Sequence, residues 1–133
     1  MGNLKRILLI LTMVLMAVCA MTLTACSDES SSSALVGTWT KQVQWVDTNG
    51  TRDHSYTFKE NGTGTFKYWD WFDHKYYYQN FKWSATESVI SFDMEKLPND
   101  NGYPSGIRYY TLTPDCLTMY YGDGDFDGNY FKQ

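Results

Sequence analysis

The apolar positions of this chain follow two regimes. From Ile7 to Met21 they run almost unbroken, interrupted only by Thr12 and preceded by the basic pair Lys5-Arg6. From Leu35 onward they alternate. Leu35, Gly37, Trp39, Val43 and Trp45 share one parity and Thr38, Thr40, Gln42 and Gln44 the other, with Lys41 as the single exception on the apolar side. Successive side chains of a strand point to opposite faces, so the alternation predicts a half-buried strand.

The same logic predicts strands over residues 35–46, 52–59, 63–70, 75–85, 88–95, 106–112, 116–121 and 128–132. Asn49-Gly50 and Asn61-Gly62 punctuate them, and Asn-Gly favours a type I′ hairpin because both residues tolerate positive φ. Each pair precedes a Thr and so also spells a glycosylation sequon, a reading that the turn chemistry outranks. Further turns are expected at 71–74, 86–87, 113–115 and 122–127, with a longer loop over 97–105. No stretch of ten residues carries a helical period. The fold class is therefore all-β: eight antiparallel strands joined in sequence, an up-and-down meander closed into a barrel so that no edge stays open.

Composition supplies the core for such a barrel. All 5 Trp, 11 Tyr and 7 Phe lie from Trp39 onward, and each can bury about 150–250 Å². The formal net charge is −4, and Lys5 and Arg6 lie in the N-terminal segment, so the rest of the chain is more acidic still. Nucleic acid is excluded as a partner, because phosphate binding relies on clustered Lys and Arg.

Leu23-Thr24-Ala25-Cys26 stands where the unbroken apolar run ends. The cationic start, the apolar run and the small residues before a cysteine resemble a bacterial lipoprotein signal with its lipobox. The resemblance implies cleavage before Cys26, a diacylglycerol on its thiol and acylation of its new amine. Cys19 is the poorer candidate, because bulky Val18 precedes it. Two or more acyl chains hold a protein stably on a membrane without a spanning element. The competing reading is an uncleaved helix, since the run approaches the roughly 20 residues that span a bilayer.

On this reading residues 1–25 are the signal peptide, 26–34 the lipidated cysteine with a flexible tether, and 35–133 the barrel domain. The acidic pair Asp28-Glu29 resembles the surface-export signal of lipoproteins in Bacteroidota-type bacteria; a solvated linker is the alternative, and both stand. With Cys26 acylated, Cys116 is the remaining thiol and no intramolecular disulfide forms.

A second resemblance lies in the barrel. Leu35-Val36-Gly37-Thr38-Trp39 is similar to the Gly-x-Trp opening strand of lipocalins and of the small lipocalin-like domains of bacterial lipoproteins. The segments Tyr56 to Thr65 and Tyr110 to Met119 resemble two further hairpins of those domains. The resemblance implies a lipocalin-like barrel with Trp39 at its closed end. There are two departures. Lipocalins proper pair that Trp with a C-terminal Arg, whereas the last strand here offers Lys132. The chain is also short: strands of about eight residues tilted by 35–45° make a barrel about 20 Å tall, with little room left among Trp and Tyr.

Asp123-Gly124-Asp125-Phe126-Asp127-Gly128 has the opening of a calcium loop, but the chain ends before the position of the bidentate acid, which favours an acidic hairpin turn. In Asp53-His54 and Asp73-His74, strand neighbours face opposite ways, and two His without a third ligand make no zinc site, so these read as surface or strand polar residues. Cys116 reads as a packed small residue. No nucleophile–base pair, metal set or cofactor motif assembles, so the reading names no catalytic residue, metal or cofactor.

The segment Phe66 to Trp83 is the most unusual. Its rings fall on both strand faces, and one face must be covered or remain exposed as a binding surface. Trp69, Trp71, Tyr76 and Tyr78 are therefore the candidate ligand-binding residues, with Asp70, Asp73 and His74 beside them; the alternative is a hairpin that buries its own rings. The expectation is a lipid-anchored outer-membrane protein, exposed at the cell surface or not, whose barrel binds a small molecule or glycan. The alternative is an interaction module of an outer-membrane or cell-surface complex, with the same aromatic residues as its interface.

Overall fold

The computed structural model describes residues 29–44, 50–98 and 102–133. Cys26, Trp45 and the Asn49-Gly50 turn pair, apart from Gly50, fall outside them, as does the signal segment. The compact unit Ser31–Gln133 holds the fold. A short helix, α1 (Glu29–Leu35), leads into β1 (Gly37–Gln44), β2 (Thr51–Phe58), β3 (Thr63–Asp70), β4 (Lys75–Ala85), β5 (Val89–Met94), β6 (Gly106–Leu112), β7 (Cys116–Tyr121) and β8 (Phe126–Lys132). Each strand pairs antiparallel with the next, and β1 returns to β8 through Trp39–Lys132 and Thr40–Phe131, closing an eight-stranded up-and-down barrel. The expected fold class stands.

Alternation explains the barrel strand by strand. Gly64, Phe66 and Tyr68 on β3 are buried while Thr63, Thr65, Lys67 and Trp69 between them are not. The inward residues meet at the centre: Tyr56 stacks on Phe66 at 4.2 Å between ring centroids and meets Phe92 and Tyr130 at 5.4 Å. Toward the end where β1 starts, Leu35, Trp39, Phe58, Ile90 and Leu117 are almost wholly buried. Each such side chain contributes on the order of 1.5–3 kcal/mol.

Three local expectations need correction. Residues 29–34, read as tether, belong to α1, and Leu35, read as the start of a strand, ends that helix. A run of serines has indifferent helix propensity, so docking carries this helix. Leu35 is fully buried, and the Trp39 indole Nε1 donates to the Leu35 carbonyl at 2.8 Å, satisfying one of the carbonyls that a helix end leaves open.

Second, the Asn61-Gly62 turn is not type I′. Gly62 has φ of 79° but Asn61 is not in the left-handed region. Gly62 N–H donates to the Lys59 carbonyl at 3.2 Å and Lys59 N–H to the Thr63 carbonyl at 2.9 Å, a three-residue turn closed by a left-handed glycine. Asn61 Oδ1 instead accepts from Thr63 N–H at 3.1 Å.

Third, β8 starts at Phe126, inside the expected turn. Met119 pairs with Gly128 and Tyr120 with Phe126, so Asp127 is the extra residue of a bulge. At the end where β1 starts, the Lys132 Nζ lies 4.9 Å from the Trp39 ring centroid. Gly37 enters β1 at φ of 130°, and a Cβ there would lie 3.1 Å from the Lys132 Cε. Glycine in the Gly-x-Trp opening thus serves both the backbone and the Lys132 stack.

Candidate functional site

The end of the barrel opposite Trp39 carries a different chemistry. There the β2–β3 ladder stops at Ser55–Lys67, and the next free amide on β3, Trp69 N–H, donates to the His54 Nε2 at 3.3 Å. A side chain thus takes over where backbone pairing ends. Asp70 then turns the chain: its Oδ1 accepts from Phe72 N–H at 2.9 Å and Asp73 N–H at 2.8 Å. The hairpin closes through His74 at φ of 50° and a hydrogen bond from the Tyr77 hydroxyl to Asp73.

From the other side, residues 102–104 lie at the mouth. Gln79, 1% exposed, sits on the inward parity of β4 between Tyr77 and Phe81 and clamps this segment. Its Nε2 donates to the Glu95 carbonyl at 2.7 Å and the Tyr103 carbonyl at 2.9 Å, and its Oε1 accepts from Tyr103 N–H at 2.9 Å. Tyr103 consequently packs edge-on against Phe66 and Tyr68, each at 5.0 Å. The hairpin and residues 102–104 enclose an open pocket of about 360 Å³ lined by His54, Tyr68, Trp69, Asp70, Trp71, Phe72, Gly102, Tyr103 and Pro104.

The four expected binding aromatics divide. Trp69 and Trp71 line this pocket, 6.0 Å apart and edge to face. Trp69 is built into the wall, with the Arg52 guanidinium 4.5 Å over its ring and Tyr76 at 5.0 Å. Its Nε1 is buried without a hydrogen-bond partner among the described residues. Tyr76 is held on the outer wall, where its hydroxyl donates to Asp53 at 2.6 Å and Lys67 lies over its ring at 4.3 Å. Lys67 also pairs with Asp53 at 2.7 Å, and its hydrogen bond, then that of Tyr76, holds the Asp53 carboxyl below its ordinary value. Tyr78 stands outside, 61% exposed. Phe72, at 96% exposed, marks the tip of the hairpin.

Of the two readings of His54, surface or strand polar residue, the strand position holds and the surface one does not. His54 is 8% exposed and edge-on to Phe66. Burial, then the Lys41 ammonium, lower its pKa from 6.5 to about 4 against the pull of Asp53 and Asp127. It is neutral at physiological pH, accepting at Nε2 and therefore protonated at Nδ1. Asp53, its neighbour in sequence, faces outward, as strand geometry requires.

Below the pocket lies a charged layer that sequence reasoning did not assemble. Lys41 Nζ contacts Asp127 Oδ1 at 2.7 Å and donates to the Asp127 carbonyl at 3.1 Å. Arg108 Nε stands 3.9 Å from Asp127 Oδ2, and its guanidinium lies 4.6 Å over the Tyr121 ring. The bulge makes this possible. Without the extra residue Asp127 would oppose Tyr120 and face solvent; with it the carboxylate turns inward to 4% exposure. Tyr56, Tyr103, Tyr121 and Tyr130 surround the layer with pKa values raised, chiefly by burial. Their hydroxyls are protonated donors at neutral pH. The one signal in the sequence was Lys41, the break in the β1 alternation.

Among the described residues no three His, Cys, Asp or Glu side chains stand together to hold a metal, and no helix is long and apolar enough to cross a membrane. Cys116 is a half-buried free thiol whose Sγ lies 3.8 Å from the Thr118 hydroxyl. No protein-family profile, curated protein or solved structure matches this chain.

Proposed function

We propose that this protein is a lipid-anchored lipoprotein of the outer membrane whose lipocalin-like barrel binds a small molecule or glycan at its mouth without transforming it. The pocket carries the reading. Its volume of about 360 Å³ falls within the range of small-molecule sites, and its wall is aromatic with a few polar groups, as such sites are. Trp71 and Phe72 offer rings, and Asp70 offers an acceptor. His54 has its Nε2 engaged by backbone, which supports binding over general-base catalysis.

The test is a titration of the purified protein with glycans and aromatic small molecules, read by tryptophan fluorescence and repeated with Trp71→Ala. Loss of the response at an unchanged melting temperature is expected; a response that survives the substitution would sink the reading. The anchor rests on the lipobox around Cys26. Cys26→Ser should abolish palmitate incorporation and globomycin-sensitive processing, and a parent protein that takes up no palmitate would refute the anchor.

A second reading, an interaction module of a cell-surface or outer-membrane complex, is supported by the outer wall. Ile107, Tyr109 and Phe126 are exposed on β6 and β8, and Tyr120 between them pairs with both Tyr109 and Phe126. Contiguous exposed apolar surface of this kind marks interaction sites.

A further inference from the structure

Two cations face one carboxylate inside the mouth of the barrel. Lys41 makes the close ion pair with Asp127, at 2.7 Å and less than one-fifth exposed. Arg108 is 13% exposed, yet at 3.9 Å it is held too far from Asp127 for a hydrogen bond. Its Nη1 donates to the carbonyl of its own neighbour Ile107 at 3.0 Å, and its Nε is buried without a partner among the described residues. Neutralising Asp127 therefore accounts for one of the two cations. With His54 neutral, the set Lys41, Arg108 and Asp127 keeps one positive charge in excess, the Asp70 carboxylate on the pocket wall being engaged by the Phe72 and Asp73 amides, and an enclosed cation without a full set of acceptors is costly to hold.

The donors around that charge converge. The Tyr130 hydroxyl lies 3.3 and 3.4 Å from the Asp127 oxygens, and Tyr121 lies under the guanidinium. The layer adjoins the pocket through His54 and Tyr103, while Lys41, Arg108 and Asp127 are not among the lining residues. His54 lines the pocket and is the cross-strand partner of Lys41, while Tyr103 lines it from the opposite side and lies within electrostatic reach of Asp127 and Arg108.

We infer that the ligand of this barrel is a ring-bearing monoanion, its ring held at the aromatic mouth and its carboxylate directed to the Arg108 guanidinium. This rests on the pocket reading above and adds the charge of the ligand. One anionic group balances the one excess cation, and guanidinium is the side chain whose planar fork matches a carboxylate. An uncharged sugar would leave Arg108 as it stands.

A matched pair of probes separates the two claims. Isothermal titration with 2-naphthoate and with 2-naphthamide, which share a ring system and differ in charge, should show the acid binding about tenfold or more tightly, as a charge-assisted hydrogen bond implies. Arg108→Gln should bring the acid down to the affinity of the amide and leave the amide unchanged. Asp127→Asn, which raises the excess charge, should tighten the acid and not the amide. Equal affinity of the parent for both probes would overturn the anion site and leave the pocket reading intact. Binding of neither would overturn both. Should Arg108→Gln fail to fold, Asp127→Asn decides, and weaker acid binding by a folded Asp127→Asn protein would overturn the proposal.

Discussion

The two ends of this barrel are built from the same strands and differ in what the inward positions carry. Toward α1 the inward side chains are Trp39, Phe58, Ile90 and Leu117, all at or below 1% exposure, and the Trp39 indole has its polar atom bonded to a helix-end carbonyl. Toward the mouth the inward side chains are Lys41, His54, Gln79, Arg108 and Asp127, held by ion pairs and hydrogen bonds that leave the Arg108 Nε without a partner. An interior that is apolar and fully satisfied serves stability. One that is polar and incompletely satisfied costs stability, and such regions mark functional sites in proteins that otherwise obey their local rules.

The sharpest way to break this comparison is at the apolar end. Trp39→Ala should cost about 3–5 kcal/mol, as truncation of a buried aromatic does. Chemical denaturation reads it, and a loss below about 1 kcal/mol would mean that the ring does not hold the barrel shut.

At the mouth the effect should depend on pH. The pKa of His54 in the fold is lowered to about 4 from 6.5, so the neutral form is the one the fold accepts. Its contribution is fully present above pH 6.5 and is lost as the pH falls toward 4, amounting to about 3 kcal/mol by linkage. Melting temperatures of the parent and of His54→Gln, compared across that window, should converge as the pH drops. Parallel curves would show that His54 titrates normally.

Gln79→Ala removes three hydrogen bonds, two of them to the Tyr103 backbone and one to the Glu95 carbonyl. It should cost about 1–3 kcal/mol and accelerate amide exchange at Tyr103, whose N–H then lacks its acceptor. Unchanged exchange there would mean that ring packing alone holds Tyr103. The smallest effect is expected at Trp71, on the pocket rim. Trp71→Ala should shift stability by less than about 1 kcal/mol while abolishing ligand-induced fluorescence change. A large loss of stability would move Trp71 from the site to the core.

The amino-acid sequence by itself determined the strand pattern of this protein. Alternation over Gly37–Gln44 and Thr63–Asp70, and turn residues at Asn61-Gly62, specify strands and turns because side-chain direction and turn φ are local properties. The aromatic segment Phe66 to Trp83 was visible for the same reason, since a ring on each face of a strand needs two environments, and the fold supplies a core for Tyr68 and a pocket wall for Trp69. Tertiary structure alone decided which polar residues meet. Lys41 and Asp127 are 86 residues apart and touch because β1 closes on β8. Asp127 faces inward because a single bulge residue reverses its parity, and an Asp-Gly-rich segment reads as a turn whether or not one of its carboxylates is turned into the barrel. Helix α1 was hidden because its stability comes from Leu35 docking in the core, a contact that exists only once the barrel has closed.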